Sequence, residues 1–414
     1  MNEKMTAILN AKEQRAKHRN ELLQQFSTTL VCFTMNIAGE DKNSSLVEIA
    51  FQYGIDLLEE TFPNAKYLEI CKTAAGPTAY LCVESSADDV KSTTTSLEEH
   101  SPVGRVFDMD VYRADGTVIS RATRRTCILC GGNVDECVKA GSHTIEEVAT
   151  KQHEMLQDFA ASRLAALAVD CLLEEVRLTP KPGLVDAETN GAHKDMDIAL
   201  FERSAKSLLP YFKTAILLGM EDECCMDRLQ PAGVKAEKAM FSVTEGINTH
   251  KGAIYAFGLI LSAIGSHISF GSEIFSTACL LAMDGILPQE VTHGEIVRTK
   301  YNKCGARYEA TEGFPNAISA YNVLNETDSM HRALLWLIAS VPDTNLLYRG
   351  GIDGLVYAQE LAKKTQALDD EHLLDGIREM DKKMTEKNLS PGGSADLLAL
   401  ALLLQKTESI WNED

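Results

Sequence analysis

Glu174-Glu175-Val176-Arg177-Leu178-Thr179-Pro180-Lys181-Pro182-Gly183-Leu184-Val185-Asp186 breaks into an apolar, helix-like run, and Gly191-Ala192-His193-Lys194-Asp195-Met196 follows it closely. Neither the helical period of 3.6 nor the strand period of 2 survives across it. A second stretch of the same kind, Asn388-Leu389-Ser390-Pro391-Gly392-Gly393-Ser394-Ala395-Asp396, also lies between apolar runs. Proline fixes the backbone, glycine lets it approach a ligand, and lysine, histidine and carboxylates supply charge. Loops held on a rigid scaffold are where proteins place chemistry. The two stretches therefore predict a helical domain whose inter-helix loops handle a phosphate-rich ligand.

The surroundings agree. Leu156, Phe159, Leu164, Leu167 and Val169 begin a long amphipathic helix, and apolar helix-like runs recur at 198–219, 251–268, 273–285, 331–341, 354–364, 370–386 and 394–406. Strand signals are nearly absent, so residues 151–414 read as an all-α domain. Residues 1–150 read differently. A charged helix over 2–25 precedes short runs of β-formers at Thr29–Met35, Lys66–Lys72 and Thr78–Glu84. Val106–Tyr112 alternates, and Ala114-Asp115-Gly116-Thr117 makes a hairpin-type turn into Val118-Ile119-Ser120. The polar segment Glu84–Ser101 is expected to be a mobile loop. The chain is thus expected to hold an N-terminal α+β domain and a C-terminal all-helical one, with the boundary near 142–155.

Composition narrows the function. Over 414 residues the chain is 45% hydrophobic and 24% charged, as in soluble globular proteins, with a net charge of −20. Nucleic-acid and anionic-membrane binders need a basic face, so neither partner is expected. Local lysines, arginines and carboxylate-held metal ions still allow nucleotide binding. Residues 1–25 are too charged for a signal peptide, and no uninterrupted apolar run is read as a membrane helix. Eleven scattered cysteines are expected to be reduced thiols in a cytoplasm.

In the first domain, Gly104-Arg105-Val106-Phe107-Asp108-Met109-Asp110-Val111 carries the strongest signal. On a strand, side chains at i and i+2 share a face, so Asp108 and Asp110 would present two carboxylates to one point. Two hard oxygen ligands beside a polyphosphate commonly hold Mg2+. Gly104 would let the backbone come close, and Arg105 would pair with phosphate. Nucleotidyltransferases share this arrangement, which predicts a nucleotidyltransferase-like fold; an exposed strand with two solvated aspartates is the plainer alternative. Arg121, Arg124 and Arg125 suit a departing diphosphate or a solvated basic turn equally well. Asn36 and Lys42, in a polar glycine-containing turn after a strand, suit either a phosphate cradle or a surface turn. Cys127-x2-Cys130-x6-Cys137, with His143 next, fits either zinc ligation or buried thiols.

In the second domain, polar clusters also punctuate the helices at Gly246–Gly252, His293-Gly294-Glu295, Gly305–Pro315 and Asp343–Gly351. Helix N-termini offer free N–H groups and a positive dipole end to phosphate. Mere capping would need far fewer basic residues. Lys181, Lys251, Arg307 and Arg349 suit phosphates, and His193 and His250 suit proton transfer near neutral pH. Asp186, Asp195, Glu309, Glu312, Asp343 and Asp396 suit Mg2+ or acid–base work. Ribosyl transfer would fit these parts, while no P-loop or protein-kinase signature is present.

These segments resemble a known family. Glu175–Asp186 with Gly191-Ala192-His193-x-Asp195-Met196, Asn248–Gly252, Gly305–Pro315, Asp343-Thr344-Asn345 with Arg349-Gly350-Gly351, and Ser390–Asp396 together resemble the triphosphoribosyl-dephospho-CoA synthases. Asn36-Ile37-x-Gly39, Gly104-Arg105-x2-Asp108-x-Asp110 and Arg124-Arg125-x-Cys127-x2-Cys130 resemble apo-citrate lyase phosphoribosyl-dephospho-CoA transferase. The first domain departs from that pattern at Gly76-Pro77-Thr78, where an acidic residue is expected after Gly-Pro, and at Ala38–Lys42, where Pro-Gly-Pro usually precedes the lysine.

The resemblance implies a fusion with two consecutive reactions. The helical domain would join the phosphoribosyl part of ATP to the ribose 2′-hydroxyl of 3′-dephospho-CoA and release adenine. The first domain would transfer the product to a serine of the citrate lyase acyl carrier (gamma) subunit and release diphosphate. On this reading Asp108, Asp110, Asp186, His193 and Glu309 are catalytic. Asp108, Asp110, Asp195, Asp343 and Asp396 hold Mg2+. Asn36, Lys42, Gly104, Arg105, Arg124, Arg125, Lys181, His250, Lys251, Arg307, Asn345, Arg349, Gly392, Gly393 and Ser394 bind substrates. Alternatives are the same chemistry for a malonate decarboxylase carrier, an N-ribosyl nucleotide hydrolase, and a non-catalytic nucleotide-binding scaffold.

Overall fold

β1 (Thr29–Met35) and β3 (Gly76–Val83) are almost wholly buried, and they form the middle of a five-stranded sheet of order β2-β3-β1-β4-β5. β2 is Tyr67–Thr73, β4 Phe107–Tyr112 and β5 Val118–Ile119, and all pairings are antiparallel. The structure is a computed structural model that describes residues 3–222, 225–285, 297, 299–301 and 305–411. The chain divides into two compact units, Met1–Ala160 and Ala161–Asp414. The helix Ile145–Arg177 runs through the division.

In the first unit, alternation makes the sheet. β4 alternates buried Phe107, Met109 and Val111 with partly exposed Asp108, Asp110 and Tyr112. Phe33 of β1 stacks on Phe51 at 4.9 Å and meets Phe107 edge-on at 5.2 Å, geometries that add to burial. Helix Ser45–Thr61 covers that cluster through Val47, Ala50, Phe51, Ile55 and Leu58.

Residues 87–100 correct an expectation. The segment forms a helix, Ala87–His100, capped by Ser86, whose hydroxyl accepts the Asp89 N–H. Its buried face is Ala87, Val90, Lys91, Thr94 and Glu98, so the apolar periodicity that would announce it is muted by charged side chains. Lys91 Nζ donates to the Met109 carbonyl at 2.8 Å, and Glu98 Oε1 accepts the Met109 N–H at 2.7 Å. Both side chains reach the backbone of Met109 in β4.

The second unit is helical; among its described residues there is no strand. Helix Lys251–Phe270 lies at its centre. By length and composition alone it could cross a membrane, although Lys251, His267 and several serines interrupt its apolar run. It is nonetheless a core helix, with fourteen buried residues. It packs on helix Leu209–Glu221 backbone to backbone: a Cβ on Gly219 would lie 1.9 Å from the Ser262 carbonyl oxygen, and one on Gly265 would lie 2.2 Å from that of Ile216. Around them stand helices Met226–Val243, Ile274–Asp284, Pro315–Thr327, Met330–Ser340, Asp370–Glu386 and Gly392–Lys406. Residues 343–351 are no loop: Asp343 caps a helix, Thr344–Gln366, which continues through a kink at Gly351 (φ 62°). Every described cysteine is a free thiol.

Candidate active sites

In the first unit Asp108 and Asp110 sit on one face of β4, opposite Thr34 and Cys32 of β1. Asp110 is half-buried, and its carboxyl is pushed above the ordinary aspartate range by burial first and by Asp108 second. Arg125 reaches this strand: its guanidinium donates to the Phe107 carbonyl at 2.6 Å, pairs with Glu98 at 2.8 Å and stands 4.0 Å from Asp108. Arg121 also pairs with Glu98, at 3.1 Å. Glu98, whose side chain is 1% exposed, therefore gathers two guanidiniums behind the carboxylate pair. Sequence reasoning missed Glu98; its signal was the i, i+3, i+7 register of Lys91, Thr94 and Glu98.

The other predicted residues of this unit have definite places. Arg124 pairs with Asp135, and Arg105 donates to the Thr126 carbonyl. Gly104 is required by packing, because a Cβ there would lie 2.5 Å from the Glu98 carbonyl oxygen. Lys42 folds back on the Ile37 carbonyl, and burial lowers its pKa. Asn36 is exposed, but its backbone is clamped. Gln152, itself buried, donates to the Asn36 carbonyl and accepts the Ala38 N–H, both at 2.7 Å. Gln152 was not singled out from the sequence.

In the second unit the two opening stretches meet. His193 Nε2 lies 2.9 Å from Ser390 Oγ, and the Gly183 N–H donates to Asp381 at 2.8 Å. Arg349 binds the Ala192 carbonyl at 2.9 Å, Asn388 at 3.0 Å and His193 Nδ1 at 3.3 Å. Burial and Arg349 push His193 down to about 4, with exposed Asp195 opposing. Asn345 approaches Gly392 so closely that a Cβ there would lie 2.4 Å from its Nδ2. Gly393 likewise leaves room for Asp343.

Behind this rim lies a charged interior. Lys181 and Glu175 form a buried ion pair at 2.8 Å. Near Lys181 lies His250, buried and pushed down to about 3 by burial and that cation; its Nδ1 is 2.7 Å from Ser204 Oγ. Asp396 projects from the first turn of helix Gly392–Lys406 against Gly252, where a Cβ would meet its Oδ2 at 2.1 Å. Its carboxyl is raised well above the ordinary range, by burial first, then by Glu175 and Asp343. Glu175 belongs to this group, and Asp381 holds the loop of Gly183 and Thr189; neither was given a role from sequence.

Four predicted residues are committed elsewhere. Asp186 accepts the N–H groups of Lys181, Glu188 and Thr189 at 2.7–2.8 Å, organising its own loop. Glu309 accepts the Asn316 N–H and side chain and the Ala317 N–H, so it caps helix Pro315–Thr327. Arg307 donates to the Gly285 carbonyl at 2.6 Å. Lys251 pairs with Glu237 at 2.9 Å. His293 and Glu295 lie outside the described residues.

Two charge-lined sites, one on each unit, are the layout of a bifunctional enzyme, and comparison with known proteins makes it a transferase. Residues 161–414 match the family model described as "CitG: ATP:dephospho-CoA triphosphoribosyl transferase", and residues 3–159 match "CitX: Apo-citrate lyase phosphoribosyl-dephospho-CoA transferase". The chain belongs to the family in which these two transferases are joined, and it serves the synthesis and transfer of the citrate lyase prosthetic group. It is 34% identical to Protein CitXG of Haemophilus influenzae over 96% of this chain and 95% of that one. It is 29% identical to Protein CitXG of Leuconostoc mesenteroides over 96% of each. A 2-(5''-triphosphoribosyl)-3'-dephosphocoenzyme-A synthase of Haemophilus ducreyi is 37% identical over 66% of this chain and 98% of its own length.

Proposed function

We propose that the helical unit joins the triphosphoribosyl part of ATP to the 2′-hydroxyl of 3′-dephospho-CoA, releasing adenine. The first unit, with a nucleotidyltransferase-like fold, then passes the phosphoribosyl-dephospho-CoA group to a serine of the citrate lyase acyl carrier and releases diphosphate. The observation that carries the reading is the convergence of residues 174–196 and 388–396, through His193 and Ser390, beside Arg349 and above a group of buried carboxylates. Free thiols fit a cytoplasmic setting.

In the helical unit, Arg349 and the neutral His193 suit the triphosphate, with the N–H groups at the start of helix Gly392–Lys406 as further donors. Asp396 suits the proton acceptor for the attacking hydroxyl, because burial beside Glu175 and Asp343 makes its carboxylate a stronger base. Asp186 and Glu309 act through the loops they hold. The carboxylates Glu175, Asp343 and Asp396 place negative charge where an oxocarbenium-like state gains from it.

In the first unit, Asp108 and Asp110 fit a magnesium ion. They are hard oxygen donors on one strand face, and Asp110 is raised partly by its neighbour, a repulsion that a divalent cation relieves. Bound there, Mg2+ would offset the triphosphate charge. Arg125, held by Glu98, would stand beside the leaving diphosphate.

The test is incubation of the full chain with ATP, Mg2+, dephospho-CoA and purified apo carrier. Adenine release and a carrier mass increase of one phosphoribosyl-dephospho-CoA group are expected. Adenine release that is independent of dephospho-CoA would refute the first step, and an unmodified carrier the second.

A further inference from the structure

We propose that Cys127, Cys130, Cys137 and His143 form a tetrahedral zinc(II) site that folds the segment following the Asp108–Asp110 strand. The four ligand atoms all lie within 4.8 Å of one another. Cys130 Sγ and Cys137 Sγ are 3.5 Å apart. Zn–S bonds of about 2.3 Å in a tetrahedron would place two sulfurs about 3.8 Å apart, close to that spacing.

The backbone is shaped for the ion. Thr126 bridges to Asn133, the Cys127 N–H donates to the Gly132 carbonyl at 2.7 Å, and the Gly131 N–H returns to the Cys127 carbonyl at 2.9 Å. Gly131 takes φ 72°, which a side chain would resist. The backbone N–H groups of Leu129 and Cys130 donate to Cys127 Sγ. A tight CxxC turn with amides aimed at the first sulfur presents both thiolates on one side. Asn133 caps helix Val134–Ala140, which carries Cys137 back over the turn. Gly141 ends that helix in the left-handed conformation and brings round His143.

Two further observations point to a metal. His143 Nε2 is buried and has no hydrogen-bond partner, a cost that a metal bond removes. The segment also lacks a core: between Val111 and Leu156 the one buried apolar residue is Cys127, and helix Val134–Ala140 buries nothing. A stretch that buries so little apolar surface needs a staple. Buried inert thiols are not the explanation, since Cys130 is exposed. Soft sulfur ligands with one imidazole select zinc over magnesium. Arg105 is bound to the Thr126 carbonyl, and Arg124 to Asp135 within this segment. Zinc would thereby hold the segment next to Arg125, which stands 4.0 Å from Asp108, without itself touching substrate.

The experiment measures zinc by mass spectrometry on the full chain purified from zinc-supplied cells and dialysed against EDTA. About one zinc per chain is expected, as for a closed structural site. Cys137→Ser and His143→Asn are expected to lower zinc affinity by on the order of 100-fold, while Cys71→Ser keeps it. Should these variants fail to fold, cobalt(II) titration of the intact apo chain decides: tetrahedral thiolate–cobalt absorption, saturating at one equivalent, supports the site. Zinc-free wild type with no such absorption overturns it. So does zinc undiminished in folded Cys137→Ser and His143→Asn, or a Cys130–Cys137 disulfide in chain alkylated during lysis.

Discussion

Asp343 binds Ser394 twice, accepting its N–H at 2.8 Å and its hydroxyl at 3.1 Å on Oδ2, while Oδ1 takes the N–H groups of Asn345 and Leu346 at 2.8 and 3.3 Å. One buried carboxylate thus caps two helices and fixes the angle at which their N-termini meet. Asn in its place keeps one acceptor and loses the other. Asp343→Asn is expected to cost about 1–2 kcal/mol and Asp343→Ala roughly 2–4 kcal/mol in chemical denaturation, with adenine release falling in both. Equal stability of Asp343→Ala and wild type would dismiss the double cap.

Asp108→Asn and Asp110→Asn separate the two reactions. Each removes one charge from the β4 pair, and neither residue belongs to the helical unit. Carrier modification is expected to slow on the order of 100-fold, with adenine release unchanged. A normal carrier mass shift in either variant would defeat the assignment.

Glu98 is the counter-charge for Arg121 and Arg125 and the acceptor for the Met109 N–H. Glu98→Gln keeps the shape but leaves Arg121 with only the more exposed Glu99, at 3.3 Å, and Arg125 with only Asp108, at 4.0 Å. Breaking a buried ion pair from one side costs about 3–5 kcal/mol. Lower denaturant resistance and impaired carrier modification are expected together. Arg125→Met/Glu98→Gln should recover part of the stability but not the transfer.

The strands were legible because β4 alternates and its turn is explicit. Helix Ala87–His100 was not, because the face it buries carries Lys91 and Glu98. Nor was helix Thr344–Gln366 read from its start, where Gly350 and Gly351 mimic a loop; a Cβ on Gly350 would lie 2.5 Å from Leu389 Cδ2, so the glycine serves packing. The residue types of the helical site were visible in its loops. Their pairing was not, since His193 and Ser390 are 197 positions apart and no local period encodes that contact. Glu309 and Asp186 looked catalytic because capping and loop-organising carboxylates have the same composition as working ones.

His250 sets a pH dependence with a definite sign. Its folded pKa is depressed to about 3 from 6.5, and that of His193 to about 4. As pH falls below 6.5 the unfolded chain takes up protons that the folded chain refuses, so these histidines stabilise the fold above 6.5 and progressively less below it. The raised carboxyls of Asp343 and Asp396 act in the opposite sense. Comparison with His250→Gln isolates the histidine: the variant should show a flatter fall of Tm between pH 6.5 and 5. Parallel curves would mean that His250 is charged in the folded state.

Lys181 and Glu175 give the sharpest test of the charged interior. Their side chains are 3% and 9% exposed, and the pair lies beside two further carboxyls, Asp396 and Asp343. Lys181→Met strands Glu175 among like charges, at an expected cost of about 3–5 kcal/mol. Lys181→Met/Glu175→Gln removes both charges, so it should be less destabilised than the sum of the single variants, with a coupling of about 0.5–3 kcal/mol. Adenine release should stay low in the double variant, because the negative charge proposed to favour the oxocarbenium-like state is reduced. Strict additivity in denaturation would show that the two charges stabilise the unit independently. Recovery of turnover alongside stability would confine the pair to a structural role.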